Sequence, residues 1–140
     1  MGYYERADMA HFNSALRAKT EQAGGRIDAF YFCPHLESKH LSPDMTPCAC
    51  SKPSPGMLLE AAKDFGLDLT GCFVVGDKTS DLAAGESVDC ITILVETGRA
   101  GREEGALSLQ PMYVAEDLLD AAIVVRDCLA RDVKVRHDAA

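Results

Sequence analysis

The sequence predicts an α/β fold in which a parallel sheet carries helices on both faces. Segments with a helical spacing of apolar residues alternate along the chain with short strand-like runs. Those runs are apolar on both faces, which is typical of strands buried in a parallel sheet. Because ligands bind such sheets at the carboxyl ends of strands, Cys33 and Asp77, which each follow a predicted strand, are the first candidate site residues.

Helices are predicted where apolar residues recur every three or four positions. The first, around Met9–Leu16, closes at Gly24-Gly25. The second has Ser54 as its expected N-cap, Pro55 at its first position and Gly66 as a left-handed stop. Two further segments share the helical spacing: Thr79–Ala84 and Ala115–Leu129.

Strands are predicted for four short runs of β-forming and other apolar residues: Ile27–Phe32, Cys72–Val75, Cys90–Val95 and Met112–Val114. Between Cys33 and Pro53 no period holds, and the stretch contains four prolines, three cysteines and two histidines. A structureless loop of about 20 residues is unusual inside a compact domain, so a specific chemical reason for it is expected.

Composition and charge exclude several classes of protein. The chain has 140 residues, of which 47% are hydrophobic and 26% charged, which excludes a mainly disordered chain. Its net charge of −8 argues against a nucleic-acid or anionic-membrane partner. No apolar run approaches a membrane span, and the first residues lack the apolar core of a signal peptide, so a cytoplasmic location is expected.

The long loop contains a cysteine and histidine pattern that fits a metal. Cys33 and His35 are followed, after twelve residues, by Cys48 and Cys50. Three thiols and one imidazole form the ligand set of a closed tetrahedral zinc site, which fixes a loop and leaves no position for a catalytic water. The alternatives are that His40 is the fourth ligand, or that these are ordinary loop thiols.

The other three cysteines, Cys72, Cys90 and Cys128, lie on apolar segments and are expected to be core residues.

A second pattern, Gly-Asp followed by Asp four residues later, marks the end of the second predicted strand. Asp77 lies at the strand's carboxyl end, and Asp81 returns to the same face after about one helical turn. Magnesium takes few protein ligands and keeps several waters, so Asp77 is expected to bind it directly and Asp81 through water. Lys52 and Lys78 supply the cations that a phosphoryl group requires. The alternative is a common turn with two carboxylates.

Together these motifs resemble the haloacid dehalogenase (HAD) superfamily of phosphatases and, within it, the D-glycero-D-manno-heptose 1,7-bisphosphate phosphatase family. The resemblance extends over nearly the whole chain. Its specific parts are the segments FYFCPH, CACSKPSPGML, VVGDKTSD and VETG, which start at Phe30, Cys48, Val74 and Val95.

The resemblance implies roles for individual residues. Cys33, His35, Cys48 and Cys50 would be zinc ligands, Asp77 a magnesium ligand, Lys52 the lysine that steadies the phosphoryl group, and Lys78 a substrate contact. Family members remove one phosphate from a sugar bisphosphate in the synthesis of activated heptose for lipopolysaccharide. The implied partner is therefore a small phosphorylated sugar. Histidinol-phosphate phosphatases, a related alternative, usually have fewer residues between the two zinc-ligand pairs.

Two departures from the family pattern matter. Ser51 stands where the family usually has arginine, and serine cannot grip phosphate bidentately as a guanidinium does. The superfamily's nucleophile lies in a D-x-D motif after the first strand, and no aspartate in this chain has another two residues later. In-line attack on phosphorus needs that carboxylate, so we expect the 140 residues alone to release no phosphate from heptose 1,7-bisphosphate in a turnover assay.

The expected organisation is a partial HAD-like domain over residues 1–131 that lacks its first strand region, with the zinc loop at 33–53 and a flexible tail at 132–140. One hypothesis is that the chain is the C-terminal portion of a magnesium-dependent phosphatase. The other is a catalytically dead, zinc-stabilised remnant or binding domain.

Overall fold

A computed structural model describes residues 6–33, 48–103 and 105–138. These residues divide into two compact units, Met1–Phe32 and Cys33–Ala140, and the boundary between them falls inside the range 1–131 that the sequence predicted as one domain. No helix in the described ranges is both long enough and apolar enough to cross a membrane.

The first unit contains helix α1, Arg6–Gln22, which confirms the first predicted helix. The chain leaves the helix through Gly24, whose φ of +82° lies in the left-handed region that glycine adopts without strain. The predicted strand Ile27–Phe32 is wrong, because no described residue forms a strand ladder with it. Phe30 of this segment contacts α1: the guanidinium of Arg17 lies 5.2 Å from the centre of its ring.

The second unit begins with helix α2, Gly56–Phe65. The predicted cap is displaced by one residue: Pro55 is the N-cap, and its carbonyl accepts the first helical hydrogen bonds. Ser54 instead donates its amide to the carbonyl of Ser51, so it belongs to the preceding turn. Gly66 ends the helix in the left-handed conformation, as predicted.

The sheet is parallel throughout, which confirms the predicted class. Its strands are β1, Phe73–Gly76, β2, Ile91–Val95, and β3, Tyr113–Ala115, in the order β1-β2-β3. Each strand lies within one residue of its predicted position. The register places Val75 beside Ile93 and Ile93 beside Tyr113. Among the described residues β1 and β3 are the edge strands of this sheet, and β2 lies between them.

Two helices cover opposite faces of this sheet. Helix α4, Leu118–Asp138, contributes Ala121 to a core formed with Ile93, Val95 and Ala115. Helix α3, Thr79–Glu86, packs against the other face: its Gly85 lies against Val74 and Thr92, whose side chains point away from the side on which Ile93 packs.

The contact between α3 and the sheet is close at Gly85. A Cβ on Gly85 would lie 3.0 Å from the side chain of Val74. The predicted end of the last helix near Leu129 is wrong: the backbone is helical to Asp138, which includes most of the segment predicted as a tail. Once a helix has started, each added residue gains a hydrogen bond, so weak apolar spacing does not end it.

Candidate functional site

Three of the four predicted zinc ligands converge in the structure. The Sγ atoms of Cys33 and Cys48 are 3.3 Å apart, and Cys50 Sγ lies 3.3 Å from the first and 3.5 Å from the second. Zn–S bonds of about 2.3 Å in a tetrahedron place sulfur atoms about 3.8 Å apart, close to this triangle. His35 and the alternative ligand His40 lie outside the described residues, so the fourth ligand stays a prediction.

The close approach of the three sulfur atoms affects the protonation of Cys50. Hydrogen bonds with the thiols of Cys33 and Cys48 raise the pKa of Cys50 to about 12. Without a cation Cys50 therefore keeps its proton, since a thiolate there would lie against two further sulfur atoms. A divalent metal bound by all three sulfurs favours the thiolate form instead.

A tight turn fixes two of these thiols at the start of α2. The amide of Ser51 donates to the carbonyl of Cys48 at 3.2 Å, and the amide of Gly56 donates to the carbonyl of Ala49 at 3.0 Å. A Cβ on Gly56 would lie 2.2 Å from that carbonyl oxygen, so a side chain there would force the turn away from the helix. Gly56 therefore permits the approach that holds Cys48 and Cys50 against α2.

Lys52, which follows this turn, reaches the first turn of α3. Its Nζ lies 2.5 Å from Oδ1 of Asp81, whose side chain is only 12% exposed. The other carboxylate oxygen of Asp81 accepts the backbone amide of Lys78 at 3.2 Å. Protein donors, the ammonium group of Lys52 and the amide of Lys78, thus engage both oxygens of Asp81. The prediction that it also binds magnesium through water stays a prediction.

Asp77 lies directly after β1, at the carboxyl edge of the sheet, as predicted. Its Oδ2 accepts the backbone amide of Arg99 at 2.9 Å, and its carbonyl accepts the amide of Gly101 at 2.8 Å. Among the described residues no donor hydrogen-bonds to Oδ1. Half-buried and partly engaged, this carboxylate retains an oxygen that can bind a hard cation.

The positions of β1 and α3 bring the two aspartates to the same end of the sheet. A Cβ on Gly76 would lie 2.4 Å from Cβ of Asp81, so glycine at the end of β1 permits the close approach of α3. Lys78, the second predicted lysine, lies between them as the half-buried N-cap of α3. The structure therefore brings Lys52, Asp77, Lys78 and Asp81 to one edge.

Sequence reasoning missed Glu103, which lies in a segment predicted only as a polar loop. Its Oε1 accepts both the amide and the hydroxyl of Thr79, each at 2.6 Å. The hydroxyl of Thr79, followed by the backbone amides of Glu103 itself, Thr79 and Ser80, holds the pKa of Glu103 below its usual range despite partial burial. No local pattern marks Glu103, because its partner lies 24 residues earlier in the sequence.

The remaining cysteines fit the core prediction to different degrees. Cys90 is buried, and that burial raises the pKa of its thiol. Cys72 and Cys128 are half-buried.

Away from the site, the hydroxyl and amide of Thr70 lower the pKa of Asp68, which caps a short 3₁₀ turn.

Comparison with known proteins agrees with the geometry. The model of the HAD-hydrolase-like family matches residues 49–121. The chain is 36% identical over 121 residues to the D-glycero-beta-D-manno-heptose-1,7-bisphosphate 7-phosphatase of Pseudomonas aeruginosa, covering 86% of this chain and 64% of that protein. With the same-named protein of Pasteurella multocida it is 32% identical over 126 residues, covering 89% and 67%.

A solved structure shows the same fold. The crystal structure of D,D-heptose 1,7-bisphosphate phosphatase from B. bronchiseptica, complexed with magnesium and phosphate, superposes with a TM-score of 0.72 at 32% identity. The match covers 91% of this chain and 66% of that one. The chain thus spans about two thirds of the length of the relatives that it matches.

Proposed function

Since this chain belongs to the HAD-hydrolase-like family, we propose that it supplies the metal- and phosphate-holding part of a phosphatase acting on heptose 1,7-bisphosphate. The observation that carries this proposal is the ion pair between Lys52 and Asp81, which places a lysine at the sheet edge where Asp77 lies. Relatives named as 7-phosphatases of this sugar support the substrate.

In this proposal Asp77 binds magnesium, and Lys52 binds the phosphoryl group that is removed. Magnesium, when bound, neutralises charge on the phosphoryl oxygens. The ammonium group of Lys52 offers further positive charge, and Asp81 restricts where that group lies. Lys78, at the start of α3, adds a second cation for the substrate. These residues hold the phosphate, whereas the attacking carboxylate is not assigned because the sequence has no D-x-D motif.

Zinc has a different role in the proposal. Cys33, Cys48 and Cys50, with His35 as the expected fourth ligand, hold it in a closed set of ligands that performs no chemistry. Its function is to order the chain just before Lys52. The residues from Cys33 to Pro53 contain no helix or strand where they are described, so the metal supplies the anchoring that secondary structure otherwise provides.

Replacing Lys52 tests the proposal through binding. Lys52→Met is expected to weaken the affinity of the chain for heptose 1,7-bisphosphate about tenfold or more in the presence of magnesium, because a charge-assisted hydrogen bond to phosphate is lost. Titration calorimetry measures this affinity. Lys63→Met, an exposed lysine in the last turn of α2, is the matched control and should bind as the wild type does.

The control for folding uses the partner of Lys52. Lys52→Met leaves the carboxylate of Asp81 without its cation, so the double variant Lys52→Met/Asp81→Asn removes that unpaired charge. Weak binding in both variants supports the assignment. Wild-type affinity in a folded Lys52→Met chain contradicts it, and magnesium-dependent phosphate release by the wild-type chain would contradict the missing-nucleophile part of the proposal.

A further inference from the structure

The loop after β2 (the 96–107 loop), described at residues 96–103 and 105–107, is attached to the start of α3 at the buried residue Thr79. Thr79, the first residue of α3, is 7% exposed. It donates its amide and hydroxyl to Glu103, and its hydroxyl oxygen accepts the amide of Leu107 at 2.8 Å. Glu103 lies at the positive end of the helix dipole, which favours a carboxylate. The 96–107 loop is therefore held to α3 through Thr79.

The same loop also contacts Asp77. Its residue Arg99 donates the backbone amide to Oδ2 of Asp77, and Gly101 donates to the Asp77 carbonyl. Gly98, with φ of +71°, passes so close that a Cβ there would lie 2.4 Å from the same Oδ2. Where the loop lies thus decides where the Asp77 carboxylate lies.

We propose that Glu103 is a positioning residue for Asp77. By fixing the 96–107 loop to Thr79, it keeps the Arg99 amide on Oδ2 and so orients the carboxylate that binds the metal through its other oxygen. This inference rests on the proposed function, because it assigns Glu103 a role in the metal affinity of Asp77. Glu103 itself contacts neither the metal nor the substrate.

A simpler role would be to cap α3 and stabilise the fold. In that case loss of Glu103 lowers thermal stability but leaves the Arg99 and Gly101 amides bonded to Asp77. Hydrogen exchange separates the two roles, because it reports the opening of individual amides relative to the core. It needs no metal and no turnover.

The test compares Glu103→Ala with Glu103→Gln and with a control, Glu86→Ala, at the exposed end of α3. In Glu103→Ala, exchange at Arg99 and Gly101 is expected to accelerate about tenfold or more relative to β2, since charge-assisted bonds are lost. Glu103→Gln keeps an oxygen that accepts from Thr79 and should restore much of the protection. Glu86→Ala should exchange as the wild type does.

Two outcomes overturn the proposal. One is unchanged protection of Arg99 and Gly101 in Glu103→Ala. The other is an unchanged affinity for Mn²⁺, used as a spectroscopic substitute for magnesium, in a Glu103→Ala chain whose Arg99 and Gly101 amides have lost their protection. If Glu103→Ala does not fold, Thr79→Val takes its place, because it keeps the side-chain volume and removes the hydroxyl. Hydrogen exchange at Arg99 and Gly101 and the affinity for Mn²⁺ are then measured in that variant. A wild-type chain that binds no Mn²⁺ overturns the metal assignment of Asp77, whereas the exchange measurement still decides whether Glu103 fixes the loop.

Discussion

Asp77→Asn is expected to weaken the binding of Mn²⁺, a spectroscopic substitute for magnesium, by at least tenfold, which corresponds to about 1.4 kcal/mol. Hard divalent cations prefer a charged carboxylate oxygen, and the side chain of asparagine has only a neutral amide oxygen. The amide oxygen can still accept the hydrogen bond from Arg99, so the surrounding loop should keep its place. The electron paramagnetic resonance signal of free Mn²⁺ measures the affinity.

Asp89→Asn is the matched control for this change. Asp89 is exposed beyond the end of α3, and its φ of +59° is a conformation that asparagine also adopts readily. This control should bind Mn²⁺ as the wild type does. Equal affinities of wild type and Asp77→Asn would contradict the assignment of Asp77 as the metal ligand.

Cys50→Ser is expected to have the largest effect on stability. Wild-type chain prepared without chelator should contain one zinc, and the variant should contain far less, because serine oxygen is a poor zinc ligand. Structural zinc contributes several kcal/mol or more to folding, so the melting temperature should fall by about 10 °C or more. Metal analysis and thermal unfolding measure the two effects.

Cys128→Ser serves as the control for the zinc prediction. Cys128 is a half-buried thiol on α4, outside the triangle of sulfur atoms. It should leave the zinc content at one per chain. Wild-type chain without zinc, or a Cys50→Ser chain with a full complement, would show that the three thiols have another purpose.

Local patterns were enough to predict most of the second unit. The glycine at position 66 ends α2, and the apolar runs that precede Asp77 and Glu96 form parallel strands. The same reasoning failed for Ile27–Phe32, because β-forming side chains do not show whether a partner strand is present. It also ended α4 too early, since a helix continues without strong apolar spacing.

Some features of the candidate site were likewise predictable from the sequence, and others were not. Cys33, Cys48 and Cys50 were predictable because ligand chemistry restricts the residue types and their spacing. The pairing of Lys52 with Asp81 was not, because it joins residues 29 positions apart. Glu103 was missed for the same reason, as only the fold brings its loop to Thr79.

One measurement tests most directly that Asp77 and Lys52 form a single metal and phosphate site. It is the relaxation of the ³¹P resonance of inorganic phosphate in the presence of the chain and Mn²⁺. If metal and phosphate bind side by side, the wild type should enhance this relaxation strongly, and both Asp77→Asn and Lys52→Met should reduce the enhancement. The shared site would be contradicted if the wild type gave no enhancement, or if both variants enhanced the relaxation as strongly as the wild type does.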